Sequence, residues 1–335
     1  MTLSNNSLLM PPRQYKADGS LRRLGVELEM NGISIDQLAE LVAGFIGGKV
    51  GHPGRYERVI SGDAAGDWQV ELDFALLKKM GREARSANSF LAELEQSTEE
   101  VFAWFAETVV PVELVSPPLP LDRLSDMESL IDLMRRRGAR GTSDRITNAF
   151  GMHLNPELPD LETNTITALL KAFFCLYDWL HERASIDMTR RMTPYIDPFA
   201  KDYVRLVTAA DYWPNQTQLI DDYLLYNPTR NRAMDMLPLF AFLDKARVHN
   251  TTADPRIKAR PTLHYRMPNC DIHLPEWGLH HPWNDWVMVE RLAENTRLLN
   301  NCCQAYHRHL HNPLNRLFDS WLEHIQEHWL AELEL

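Results

Sequence analysis

Residues Leu24 to Met30 read LGVELEM, and this stretch decides how the rest of the chain is read. Val26, Leu28 and Met30 alternate with Glu27 and Glu29, the period of two expected of a strand with one buried face. Its other face carries two carboxylates with no basic residue between them. That arrangement repels itself unless something positive is held against it.

Four more segments alternate in the same way. Trp68, Val70, Leu72 and Phe74 oppose Gln69, Glu71 and Asp73; Val112 and Leu114 oppose Glu113; Met152 and Leu154 oppose His153 and Asn155. Leu263, Tyr265 and Met267 oppose His264 and Arg266. Placed in one sheet, these strands give a polar face of Glu27, Glu29, Glu71, Asp73, Glu113, His153, His264 and Arg266, without a lysine. Solvated sheet faces ordinarily mix Thr, Ser, Lys and Glu. Carboxylates two residues apart on a strand are about 7 Å from each other, and facing like charges destabilise a sheet. An oxygen-rich site of this kind suits Mg²⁺ or Mn²⁺.

Between the strands lie helical patterns. SIDQLAELVAGFIGG pairs Ser34 with Gln37 as a capping box, and Gly47-Gly48 ends the helix. A long helix is expected over 82–108, and a second capped helix from Ser125 and Glu128 to a stop at Gly138. TNTITALLKAFFCLYDWLHERA reads as a strong helix, YNPTRNRAMDMLPLFAFLD as a turn and then a helix. From Trp283 the chain is mainly helical, interrupted at Pro313. Alternating strands with irregularly interleaved helices predict an α+β fold with a largely antiparallel sheet, helices packed on its apolar face. The reading is a flexible leader over 1–21 and a single domain over 22–335, with a helical C-terminal region at about 283–333.

Composition narrows the function. The 335 residues carry 35 Lys plus Arg against 46 Asp plus Glu, a net charge of −11, which argues against nucleic acid or a basic membrane patch as partner. The greasiest run, ALLKAFFCLYDWL, is broken by Lys171 and Asp178 and is too short to span a bilayer. Cys175, Cys270, Cys302 and Cys303 form no CxxC framework, so reduced thiols in a cytoplasmic protein are expected.

In order along the chain, GVELEM, DWQVELDFAL, VELVSPPLP, FGMHLN and LHYRMPN resemble the amidoligase family, carboxylate–amine ligases related to glutamine synthetase and glutamate–cysteine ligase. The resemblance runs from about residue 22 to 290. It implies a glutamine-synthetase-like fold, a curved antiparallel sheet holding Mg²⁺ (or Mn²⁺) and ATP on its concave face, and ADP-forming amide synthesis through an acyl phosphate. By the same resemblance Glu27, Glu29 and Glu113 are metal ligands, His153 and Arg266 contact phosphate, and Asp73 orients metal or amine. Arg230 and Arg232 of YNPTRNR resemble an element that steadies the γ-phosphate. The substrates would be an amino acid, related metabolite or peptide carboxylate together with an amine, and a glutamine-amidotransferase-like hydrolase is the protein partner the family suggests. Three departures stand out: Asn155 replaces a second histidine, Phe74-Ala75 replaces Gly-Ser, and His264 replaces the glutamate of a Glu-aromatic-Arg motif.

Competing signals are weaker. AGFIGGKV fails the P-loop pattern at Ala43 and Val50. HIQEH, His324 to His328 with Glu327, matches the inverted zinc-peptidase helix and would make a zinc hydrolase, but Trp321, Leu322, Ile325 and Trp329 mark a packed amphipathic helix. Cys270, His273, His280 and His281 form a conceivable zinc knuckle, and Arg135, Arg136, Arg137, Arg140 and Arg145 either stabilise a helix C-terminus or make a phosphate lid. A catalytically inactive nucleotide or amino-acid binder is the remaining alternative, raised by His264 and Asn155.

Overall fold

A computed structural model describes residues 7–72, 111–144, 150–184, 196–311 and 320–333. The protein is mixed α+β, with a large, mainly antiparallel sheet and, among the described residues, 11 helices. The chain divides into two compact units, Gly25–His153 with Asn269–Gly278, and Met1–Leu24 with Leu154–Pro268 and Leu279–Leu335.

The first unit is built on β1 (Arg23–Met30), β2 (Lys49–Gly54), β3 (Glu57–Ser61), β4 (Trp68–Leu72), β5 (Val112–Val115) and β6 (Leu119–Pro120), and takes in the start of β7 (Met152–Pro156). Hydrogen bonding orders them β2-β3-β4-β5-β1-β7, with β6 also on β1. One face of β1, β3, β4 and β5 buries Val26, Leu28, Met30, Ile60, Trp68, Val70, Val112 and Leu114. Helix α1 (Ile35–Ile46) packs on β2, β3 and β4 and against α2 (Leu124–Arg136), sealing that face. The Ser34–Gln37 capping box forms as expected, and Gly47 closes α1 at φ +70°, a conformation a side chain would strain.

Helix α2 differs from its expected start. It begins at Leu124 directly from the 3-10 turn Leu121–Arg123, without a side-chain cap, so Ser125 lies inside the first turn. Gly138, with φ +96°, still marks its end. The β2–β3 hairpin has no alternation to betray it: β2 reads KVGHPG, carries a register irregularity, and turns through Arg55 and Tyr56. The expected helix over 82–108 lies outside the described residues.

In the second unit α3 (Thr163–Arg183) is the central helix, buried along most of its length as its sequence implied. Against it pack α4 (Lys201–Thr208), α5 (Gln216–Tyr226), α8 (His280–Glu294), α9 (Thr296–His311) and α10 (Trp321–His328). Helices α6 (Leu237–Leu243), α7 (Lys245–Thr251) and α11 (Leu330–Leu333) complete the unit. Its strands are the remainder of β7, then β9 (His264–Tyr265) and β8 (Met234–Asp235), paired antiparallel in that order. The N-terminal segment bonds to α8. Asn284 accepts the Leu9 N–H, Leu9 accepts the Trp283 indole N–H, and Arg22 forms a buried bidentate pair with Glu290 at 2.7 Å.

Candidate functional site

The register of the first unit turns the alternating strands into rungs. Glu29 is the cross-strand partner of Glu113, Glu113 of Glu71, and Glu71 of Glu57. Four carboxylates therefore stand on one rung across β1, β5, β4 and β3. Glu57 comes from the hairpin that the sequence did not reveal, so only the register brings it to this row. The rung runs from nearly buried Glu29 to exposed Glu57. Like charges so aligned oppose pairing, and a bound cation would relieve them.

The strand beyond β1 supplies an imidazole. Glu29 donates its backbone N–H to Gly151 O at 3.1 Å and accepts the Gly151 N–H on Oε2 at 2.7 Å, which orients its carboxylate. Its other oxygen, Oε1, lies 4.0 Å from His153 Nε2. His153 Nδ1 lies 2.9 Å from Glu27 Oε2. An ionised carboxylate can only accept, so His153 Nδ1 is the donor in this contact. Donor atoms of Glu29, Glu113 and His153 fall within 4.8 Å of one another. Two carboxylate oxygens and one imidazole nitrogen are a fitting donor set for Mg²⁺ or Mn²⁺, and bonds of about 2.1 Å require only a small inward shift. Were His153 to ligate a metal, Glu27 would stand where a carboxylate fixes a histidine's tautomer and ring orientation.

The second unit holds the arginines. Arg266 donates its backbone N–H to Ala233 O at 2.8 Å and Nη1 to Arg230 O at 2.6 Å, which locks it onto the loop after α5. Burial, with Asp235 opposing and Arg266 and Arg256 adding to it, lowers the pKa of Arg230 from the ordinary arginine value. A concentration of positive charge of this kind favours an anion. Arg232 is turned elsewhere: its guanidinium donates to Asn227 Oδ1, Pro198 O and Tyr226 O and lies over the Phe199 ring. Asn155, at the place of the family's second histidine, accepts from Arg260 Nη2 at 2.7 Å.

Of the residues singled out in the sequence, Glu27, Glu29, Glu113 and His153 come together in the first unit, and Arg230 and Arg266 in the second. Asp73 lies outside the described residues. Among the described residues, the clusters able to hold a metal include neither His324 and His328 nor Cys270, His273, His280 and His281. Arg135 is tied to the backbone carbonyls of Ile272 and Trp277 rather than left as part of a lid.

A family described as "Putative amidoligase enzyme" matches residues 20–288, most of the chain. The chain belongs to the amidoligase family. Its membership makes it an enzyme of the ligase type, and the five alternating segments of the sequence all lie in the matched range. No curated protein and no solved structure gives a significant match to this amidoligase. All four cysteines are buried free thiols, and no described helix is long and apolar enough to cross a membrane.

Proposed function

We propose that the protein is an ATP-dependent carboxylate–amine ligase with a glutamine-synthetase-like catalytic fold. The observation that carries the reading is the convergence of Glu29, Glu113 and His153, with Glu27 behind the imidazole, in a chain of the amidoligase family. A divalent cation in this cradle would neutralise phosphate charge and hold reactants in line. Glu29 and Glu113 would hold it through oxygen and His153 through a ring nitrogen, while Glu27 would keep His153 oriented. Arg230 and Arg266 bind phosphate oxygens directly, as guanidinium groups do. Asp73 orients metal or amine, as the resemblance has it.

In the reaction, a substrate carboxylate oxygen attacks the γ-phosphorus of ATP and ADP leaves, giving an acyl phosphate. The amine nitrogen then attacks the acyl carbon, losing a proton, and inorganic phosphate leaves. The acid is an amino acid, a related metabolite or a peptide carboxylate. Buried free thiols suit a reducing compartment, and the cytoplasm is where we place the enzyme. A glutamine-amidotransferase-like hydrolase is the partner proposed on family grounds.

Phosphate release from Mg-ATP tests the reading, with a panel of amino acids paired with amines and polyamines. Release that needs both an acid and an amine and vanishes in Glu29→Gln is expected. Failure of the protein to bind Mg-ATP at millimolar nucleotide would overturn it.

A further inference from the structure

Asp235 has no place in the sequence pattern. It lies in AMDMLPLF, a stretch read as turn and helix, yet it forms β8 and is the cross-strand partner of His264. Its side chain is completely buried. Oδ1 accepts the Leu237 N–H at 3.0 Å and so caps the chain entering α6. That bond fixes the carboxylate plane. Oδ2, buried without a hydrogen bond, lies 3.9 Å from Arg230 Nε and 3.6 Å from His264 Nδ1. The Arg230 Nε is likewise buried without a hydrogen bond.

A buried carboxylate oxygen short of a donor is costly, and so is a buried guanidinium N–H short of an acceptor. Two such groups of opposite charge, held just beyond bonding distance, stabilise each other most when the arginine moves inward or is drawn taut by an anion on its far side. Arg230 is held at its backbone as well, because its carbonyl accepts from Arg266. The carboxylate is thus rigid, the arginine is anchored at one end, and the two meet through Nε, leaving the Nη groups for a ligand.

We infer that Asp235 is a positioning residue that holds Arg230, and through the β8–β9 pair His264, for binding a polyphosphate. Position 264 carries histidine where the family motif has glutamate, and the carboxylate lies directly across the strands instead. The inference rests on the phosphate-binding reading of Arg230 and Arg266. It opposes a simpler role, because an acid that served only as counter-charge would weaken an anion site, and its loss would tighten binding.

Metal-free tripolyphosphate is the probe, titrated by calorimetry into wild type, Asp235→Asn, Arg230→Gln, the Asp235→Asn/Arg230→Gln double variant and Arg266→Gln. Asparagine keeps the Oδ1 acceptor for Leu237 and removes only the charge. Positioning predicts binding weaker by about tenfold in Asp235→Asn and no further loss from that change on the Arg230→Gln background. A merely structural residue would weaken both backgrounds alike. Unchanged or tighter binding in Asp235→Asn, or equal losses on both backgrounds, overturns the inference while leaving the ligase reading intact. Wild-type binding indifferent to both Arg230→Gln and Arg266→Gln, or absent, overturns the phosphate-site reading together with this one. Should Asp235→Asn fail to fold, Asp235→Glu, which keeps the charge but displaces the oxygen, goes through the same cycle with the same criterion.

Discussion

His153 Nδ1 lies 2.9 Å from Glu27 Oε2, while Nε2 of the same ring lies 4.0 Å from Glu29 Oε1. One imidazole thus joins the two glutamates of LGVELEM, and the two have different tasks. In the proposed metal site Glu29 would face the cation and Glu27 would fix the ring that shares it. Replacing a carboxylate behind a metal-bound histidine weakens metal about 10- to 100-fold. Glu27→Gln is therefore expected to lower Mn²⁺ affinity by about that factor, measured by electron paramagnetic resonance of the free ion. Glu29→Gln should abolish binding. Full affinity in Glu27→Gln would show that His153 is held by something else or is no ligand.

The rung Glu57–Glu71–Glu113–Glu29 predicts a change of sign with cation. Glu113 stands between Glu71 and Glu29, so without divalent ions its charge is repelled from both sides. Relief of each cross-strand like-charge pair is worth roughly 0.2–1 kcal/mol. Glu113→Gln should then melt slightly above wild type in chelator and below it in millimolar Mn²⁺. A cation present at 100 times its Kd would add about 2.7 kcal/mol to wild type alone. Calorimetric melts in both buffers test this, and parallel curves for the two proteins in both would remove the cation from the rung.

These residues show what the sequence carries. Period-two alternation located Glu27, Glu29, Glu113 and His153, because a half-buried strand writes its faces into its order of residues. It could not locate Glu57, whose hairpin opens on the glycine- and proline-bearing KVGHPG, nor Asp235, in a two-residue strand too short for any period. It also read Arg232 with Arg230. The acceptors that capture Arg232, at Asn227, Pro198 and Tyr226, are positioned by tertiary structure, not by the spacing of the two arginines. Register and loop path are set by packing, and they decide which charges meet.

Asp285 predicts a pH dependence. Burial raises its pKa to about 6, against the opposing pull of Arg183, whose Nε donates to Oδ1 at 2.9 Å. Between the ordinary carboxylate pKa and about 6 the folded protein keeps a proton that the unfolded chain has lost. The contribution of Asp285 is therefore most favourable at the acid end and is lost as pH rises through that window. Asp285→Asn retains an oxygen acceptor for Arg183 and has no proton to lose. Its melting temperature relative to wild type should climb from about pH 4 to about pH 6 and then level off. A difference independent of pH would mean that Asp285 titrates normally.

The pair Arg22–Glu290 should tie the N-terminal segment to α8 by a test that separates strength from necessity. Both side chains are buried, the contact is bidentate at 2.7 Å, and Glu290 Oε1 also accepts the Trp286 indole N–H at 2.8 Å. Removing one partner of such a pair leaves a buried charge unpaired and costs about 3–5 kcal/mol, whereas replacing both with apolar groups is often close to neutral. Arg22→Met and Glu290→Leu are each expected to lower stability by that order, and the double variant to recover much of it. The Trp286 N–H, left without its acceptor in the double variant, should keep recovery incomplete by about 1–3 kcal/mol. Urea melts of the four proteins measure the coupling. If the single losses are small and additive, the N-terminal segment is held by its backbone bonds at Leu9 rather than by the ion pair.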